Sequence, residues 1–219
     1  MTPKSDAPAG RAPVLALDLG ASRIRAAVVR ADGTLAARAD GITRLDEGPT
    51  AVLDDSIALL RGVLEAIPSS LASIIGAVGI SAPGPVDPHR GRLVEPPNMG
   101  LSFHGVAIAD PIAAAFGLPT VLDRDTHVAM LGELAFGAAR GARDALYITV
   151  STGLGGAILS DGHLVTGPDG VAGELGHFVV DFDGPPCNCG ERGHLEAYSS
   201  GVAIARAARD AIAAGTAPG

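Results

Sequence analysis

Both cysteines of the 219-residue chain and two of its six histidines lie between His177 and His194. Pro185, Pro186 and Gly190 can bend this segment into a knuckle that turns Cys187 and Cys189 toward one point, with His177 and His194 arriving from either side. Two thiolates and two imidazoles suit tetrahedral zinc. The alternative is that the cysteines are small buried side chains and the histidines ordinary surface residues. A disulfide within Cys187-Asn188-Cys189 would close a strained ring. With all four ligand positions filled by protein, the metal would be structural, leaving no open place for a reacting water. It would also fix the aim of Glu174, three residues before His177, and of Glu196, two after His194, which makes both carboxylates candidate substrate ligands. Glu174-x-x-His177 shares a spacing with zinc proteases but lacks their first histidine, so a protease is not expected.

A second chemistry resides in two small-residue turns. Asp18-Leu19-Gly20-Ala21-Ser22 and Ser151-Thr152-Gly153-Leu154-Gly155-Gly156 each end a strand-like run, and each leads into another run closed by Asp-Gly. The unit strand, turn, strand, Asp-Gly, strand therefore occurs twice, from Val14 and from Ala145. Converging backbone N–H groups in such turns form a nest for phosphate. Either turn alone could be an ordinary hairpin; the repetition, with Asp18 beside the first, favours two facing nests that hold a nucleotide's phosphates. Neither a dinucleotide fingerprint nor a Gly-Lys-Ser/Thr loop is present.

Between the repeats lies Leu122-Asp123-Arg124-Asp125-Thr126-His127, charged residues at the end of a short strand and the start of a helix. Ligands of α/β sheets bind at such strand ends. Asp125 either caps the helix or acts as a general base toward a hydroxyl that attacks a phosphoryl group.

The elements that must carry these residues follow from periodicity and breakers. After a disordered tail of residues 1–12, strands are expected at Val14–Leu19 and Ile24–Arg30, with a hairpin turn at Asp32-Gly33. Helical spacing runs from Thr50 to Ile67 and stops at Pro68. Ile74–Ile80 reads as a strand covered on both faces. The five prolines between Ser81 and Gly100 predict a long irregular loop. A helix over Val106–Phe116, interrupted near Pro111, a strand at Val121-Leu122, a helix over Thr126–Phe136 and strands at Ala145–Val150 and Ala157–Leu159 follow. A turn at Asp161-Gly162 and a last helix, Val202–Ala214, capped by Ser199 or Ser200 and stopped at Gly215, complete the pattern. The division expected is residues 13–122 with the first turn and 123–219 with the second turn and the knuckle.

Composition sets limits on this α/β chain. A net charge of −8 without a basic run argues against nucleic acid. No apolar run reaches the eighteen or so residues of a membrane span, and the opening residues lack the apolar core of a secretory signal. Two unpaired thiols agree with a cytoplasmic location.

Together, Asp18 to Ser22, Asp123-Arg124-Asp125, Ser151 to Gly156, Gly173-Glu174-Leu175-Gly176-His177 and Cys187-x-Cys189-Gly190-x-x-Gly193-His194-x-Glu196 resemble the ROK family of repressors, open reading frames and kinases. That family includes bacterial glucokinases, fructokinases and N-acetylhexosamine kinases. The likeness runs from about Val14 to the last helix, and the zinc segment is its most specific part. It implies an actin-like ATPase, ribonuclease-H-like fold of two lobes and ATP-dependent phosphorylation of a hexose, usually at carbon 6. Asp125 falls at the family's catalytic base; Glu174, Glu196 and Asn98 fall in its sugar pocket, with His177 holding zinc while its other ring nitrogen faces the sugar. Asp18, Gly20, Ala21, Ser22, Thr152 and Gly153 match positions around the phosphates of ATP and its Mg²⁺. A homodimer is implied for a complete chain.

Three departures stand out. Arg124 occupies the place of an asparagine that would hydrogen-bond the sugar; an amide donates and accepts, whereas guanidinium only donates, so a preference other than glucose, or an anionic sugar, is expected. His194 takes the place of a third cysteine, and Ala21 that of a glycine. Family members also continue past the last helix, so an incomplete second lobe is expected, as a fragment or as a form without ordinary ATP binding. Exposed apolar surface and self-association would follow. A sugar sensor without catalysis, or a truncated remnant with no activity, is the alternative to a kinase; the family's repressors carry an N-terminal DNA-binding helix-turn-helix.

Overall fold

The computed structural model describes residues 12–216. They divide into two compact units, Met1–Val128 and Ala129–Gly219; the expected tail lies almost wholly outside the described residues.

The first unit is built on β1 (Val14–Leu19), β2 (Arg23–Val29) and β3 (Leu35–Ile42), an antiparallel meander. Leu15, Leu17 and Leu19 alternate with less buried neighbours and point one face of β1 into the core. The β2–β3 connection turns through Gly33, whose φ of +83° a side chain would resist. Helix α1 (Gly48–Glu65) has Pro49 in its first turn, where a missing N–H costs nothing. It buries Val52, Ser56, Leu60 and Val63 along one stripe. After the single turn α2 (Ser69–Ala72) comes β4 (Ala77–Ala82), parallel to β1. The expected strand from Ile74 starts three residues late, because Ile74 and Ile75 close hydrogen bonds back onto the Leu71–Ala72 turn. Only Val78, Ile80 and Ala82 are deeply buried, so β4 is covered fully on one face and partly on the other.

The proline-rich loop is not wholly irregular. It contains the short hairpin of β5 (Val86–Asp87) and β6 (Arg92–Leu93), with Val86 and Leu93 in the core. Helix α3 (Ala109–Phe116) begins after Val106 and Ala107 have paired as extended chain, so Pro111 lies in a first turn and interrupts nothing. Strand β7 (Thr120–Arg124) pairs in parallel with β4 and completes a five-stranded sheet of order β3-β2-β1-β4-β7. Helix α4 (Asp125–Phe136) begins in this unit and continues into the second.

The second unit repeats the meander with β8 (Ala145–Val150), β9 (Leu154–Ser160) and β10 (His163–Leu164). The Asp161-Gly162 hairpin turn has positive φ at both residues, 48° and 79°, as a type I′ turn demands. Strand β9 starts earlier than its apolar run suggests and contains Gly155 and Gly156. A side chain at Gly156 would meet Leu175 and the Gly173 carbonyl, 3.0 Å from its Cβ, so the glycine serves close packing inside a strand. Met130, Ala157 and Leu159 form the local core. The single turn α5 (Glu196–Ser199) precedes α6 (Gly201–Ala213), whose N-cap is Ser200, with its hydroxyl accepting from Ala203 N at 3.2 Å. Leu146, Ile148 and Val150 on β8 and Val202, Ile204 and Ile212 on α6 are exposed. No helix among the described residues is long and apolar enough to cross a membrane.

Candidate functional site

In the first unit, parallel pairing brings three polar residues into one row at the carboxyl ends of adjacent strands. Asp18 of β1 is in register with Ser81 of β4, and Ser81 with Asp123 of β7. Ser81 Oγ donates to Asp18 Oδ1 at 3.2 Å, and Arg25 of β2 donates to Asp18 Oδ2 at 2.7 Å. Arg25 escaped the sequence reading, although it is directly opposite Asp18 once the Gly20 turn fixes the hairpin register. That turn is tight: Gly20 N donates to Arg23 O at 2.9 Å, and a Cβ on Gly20 would stand at 2.9 Å from the same oxygen. Thr43 fastens it from β3's end through Gly20 O and Ser22 O. Ala21 is half-buried and Ser22 exposed in the same turn.

Strand β7 passes directly into α4 at Asp125. Arg124 is buried, its side chain lying along Gly84, where any Cβ would come within 2.9 Å of its Cδ and Nε. Asp123 accepts from Arg124 N at 2.7 Å and pairs with His127 Nδ1 at 2.9 Å. Burial pushes the Asp123 carboxyl upward, but His127 and the Arg124 amide outweigh it and hold the group below the ordinary carboxylate range. His127 is 1% exposed, and its Nε2 has no hydrogen-bond partner among the described residues.

Asp125 behaves in the opposite way. Solvent reaches its side chain, yet surrounding protein strips enough water to push the carboxyl up, and the negative charge of Asp18 adds to the effect. The Thr126 amide, donating to Asp125 Oδ1 at 2.8 Å, together with Arg124 and His127, opposes the rise. Asp125 thus accepts the Thr126 amide and carries raised basicity as well; holding one amide leaves lone pairs on the carboxylate free for proton acceptance. Asn98, at φ +68° in a tight turn, is exposed and makes no hydrogen bond among the described residues.

In the second unit, the turn between β8 and β9 is held on three sides. Ser151 N donates to Gly153 O at 2.9 Å, Gly201 N donates to Ser151 O at 2.8 Å, and Leu154 N donates to Glu196 Oε2 at 2.8 Å. The amides of Thr152 and Gly153 are left without a partner among the described residues, at the top of the turn. Glu174 begins the short 3₁₀ turn Leu175–His177 and is half-buried.

The knuckle brings His177, Cys187, Cys189 and His194 together, with one ligand atom from each inside 4.8 Å of all the others. Its frame is backbone: Val180 N donates to Gly193 O at 2.8 Å, Gly193 N to Pro185 O at 2.9 Å, Cys187 N to Glu191 O at 2.8 Å and Leu195 N to Phe178 O at 2.9 Å. His177 Nδ1 stands 3.3 Å from His194 Nδ1, and Cys189 Sγ 3.3 Å from the same nitrogen. A tetrahedral ion with bonds of about 2.0–2.3 Å spaces its ligand atoms roughly 3.3–3.8 Å apart, so the donor set fits zinc in kind, and the two contacts to His194 Nδ1 fit it in spacing. Two ring nitrogens facing each other repel unless a cation or proton lies between them. Both cysteines are free thiols, and burial pushes the Cys187 thiol up, a bias that a bound cation reverses. Because Nδ1 of His177 faces the cluster, its other ring nitrogen is turned away from it.

Known proteins extend these observations. The glucokinase of Thermotoga maritima is 35% identical over 197 residues, 90% of this chain and 60% of that protein. The N-acetylmannosamine kinase of Shigella flexneri is 35% identical over 201 residues, 91% of this chain and 65% of that protein. The crystal structure of a ROK family glucokinase from Streptomyces griseus in complex with glucose and AMPPNP superposes with a TM-score of 0.76 at 34% identity, covering 92% of this chain and 62% of that one. The chain thus spans about 60% of the length of the glucokinases it matches. Its sheet order and this likeness identify the expected actin-like, ribonuclease-H-type α/β fold. The ROK family model matches residues 14–217, and the chain therefore belongs to the ROK family.

Proposed function

We propose that this chain carries the sugar-side machinery of an ATP-dependent hexose kinase. The observation that carries the reading is Asp125: a carboxylate at a strand–helix junction, made more basic by lost hydration and by Asp18, yet anchored through the Thr126 amide. In this reading Asp125 takes the proton from a sugar hydroxyl, carbon 6 being the first choice, as that oxygen attacks the γ-phosphoryl group of ATP. Asp18, Gly20, Ala21 and Ser22 of the first turn and the Thr152 and Gly153 amides of the second would serve ATP with its Mg²⁺. Glu174, Glu196 and Asn98 would hold sugar hydroxyls, whereas Arg124, expected beside them from the resemblance, lies buried along Gly84. Bound zinc would supply only rigidity, with His177, Cys187, Cys189 and His194 as its ligands. Glucokinase and N-acetylmannosamine kinase relatives at equal identity support a hexose or its N-acetyl derivative as the substrate class.

The test is a coupled assay with Mg²⁺–ATP and a panel of glucose, mannose, fructose, N-acetylglucosamine and N-acetylmannosamine, run beside Asp125→Asn. Turnover of one sugar, lowered about 10²–10⁴-fold in the variant with sugar binding kept, supports the reading. Sugar-dependent thermal stabilisation without turnover of any hexose sinks it in favour of a sensor.

A further inference from the structure

We propose that Glu196 is a positioning residue for the Ser151–Gly153 turn, so that the zinc knuckle sets the shape of the phosphate side of the site as well as the sugar side. The role of the turn in binding phosphate rests on the function proposed above; the structural coupling does not.

Glu196 begins α5, two residues beyond His194, and its Oε2 accepts the Leu154 amide at 2.8 Å although the two residues are 42 apart in sequence. Its second oxygen, Oε1, lies 3.8 Å from Cys187 Sγ, so a single carboxylate spans from a metal-ligand residue to the first residue of β9. The contact demands a glycine beside it. A Cβ on Gly153 would stand 2.5 Å from Glu196 Oε2 and 3.4 Å from its Cδ, and no other residue type leaves the carboxylate room at this distance.

Two further contacts tie the knuckle's flanks to the same turn. Gly176, beside His177, packs so closely that a Cβ there would overlap the Leu154 carbonyl oxygen and lie 3.1 Å from its carbon. Gly201, the first residue of α6, donates to Ser151 O. Residues before His177 and after His194 therefore grip both ends of the Ser151–Leu154 turn.

The consequence is chemical. With Ser151 N given to Gly153 O and Leu154 N given to Glu196, the turn presents Thr152 N and Gly153 N. Were the carboxylate lost, the buried Leu154 amide would be unsatisfied, and the turn would reorganise to recover a partner. A carboxylate has about four lone-pair sites, so holding Leu154 leaves capacity for a sugar hydroxyl as well.

Amide hydrogen exchange of peptides covering residues 151–156 tests the coupling without any need for turnover. In Glu196→Ala, with zinc content checked by elemental analysis, exchange at Leu154 should accelerate about tenfold or more, while Glu196→Gln, whose carboxamide oxygen still accepts, should stay near the wild type. Gly153→Ala leaves all four metal ligands and Glu196 in place but crowds the carboxylate off the amide; it should accelerate exchange at Leu154 with zinc retained. Unchanged exchange at Leu154 in Glu196→Ala or in Gly153→Ala overturns the proposal, as does a Gln variant that exchanges as fast as the Ala one. Absence of turnover in the wild type counts against the kinase reading and leaves these exchange results standing.

Discussion

Gly193→Ala offers the sharpest test of how the knuckle is held. Gly193 sits at φ +69°, and a Cβ there would overlap the Asp181 carbonyl oxygen and lie 2.6 Å from the Asp181 carbon, where an ordinary contact needs 3.4 Å or more. The obstacle is backbone, which cannot swing aside as a side chain does. The two strands of the knuckle must therefore part by on the order of 1 Å, enough to carry the Val180 N to Gly193 O bond, now 2.8 Å, and the Gly193 N to Pro185 O bond, now 2.9 Å, out of hydrogen-bonding range. Each lost bond costs about 0.5–1.5 kcal/mol, and the left-handed conformation costs an alanine about 1–2 kcal/mol. The expected destabilisation is roughly 2–5 kcal/mol, with His194 drawn away from Cys189 and zinc lost or weakly held. Gly141→Ala is the control: its φ is +79°, but nothing lies within 4 Å of the added methyl, so it carries the conformational cost alone. Elemental analysis and urea denaturation of both variants decide the matter. A Gly193→Ala protein that keeps one zinc per chain and unfolds no more readily than Gly141→Ala would refute the reasoning.

The remaining expectations concern charge and ligand type. Loss of water raises the Asp125 carboxyl, so its contribution to stability is complete below the unfolded value near 3.9 and is lost as pH rises through the higher folded value; Asp125→Asn should thus melt at or above the wild-type temperature at pH 7 while failing in turnover. Asp123 has the reverse sign: burial works against it, but His127 and the Arg124 amide hold the carboxyl low, so its stabilisation is present above about 3.9 and fades as pH falls through the lower folded value. Urea titrations should find Asp123→Asn weaker by about 1–2 kcal/mol at pH 7 and equal to wild type once acid has protonated the native carboxyl. His194→Cys should slow zinc loss to a competing chelator, since thiolate is the stronger donor to zinc; faster loss means that His194 Nδ1 is not a ligand.

What the sequence disclosed and what it withheld divide along a physical line. Spacings such as Cys187-x-Cys189 and His194-x-Glu196, the Asp161-Gly162 turn and the Ser200 cap were legible, because each depends on the conformations of a few adjacent residues. The early β9, with two glycines inside a strand, was not: Gly156 answers to Leu175 and Gly173, whose approach no local pattern encodes. The β5–β6 hairpin was hidden in a proline-rich stretch, since Val86 and Leu93 pair only because both drop into a core made elsewhere. Arg25 fell between the two cases, being fixed by register once a turn is known. Glycine is the informative residue in this division. At Gly153, Gly176 and Gly193 the missing side chain marks where a carboxylate or a carbonyl comes in from far along the chain, so a glycine beside a ligand motif records a long-range contact whose partner the sequence leaves unnamed. The Glu196–Leu154 bond is of that kind: Gly153 shows that something approaches the turn, and only the fold shows that it is the acid placed there by the knuckle.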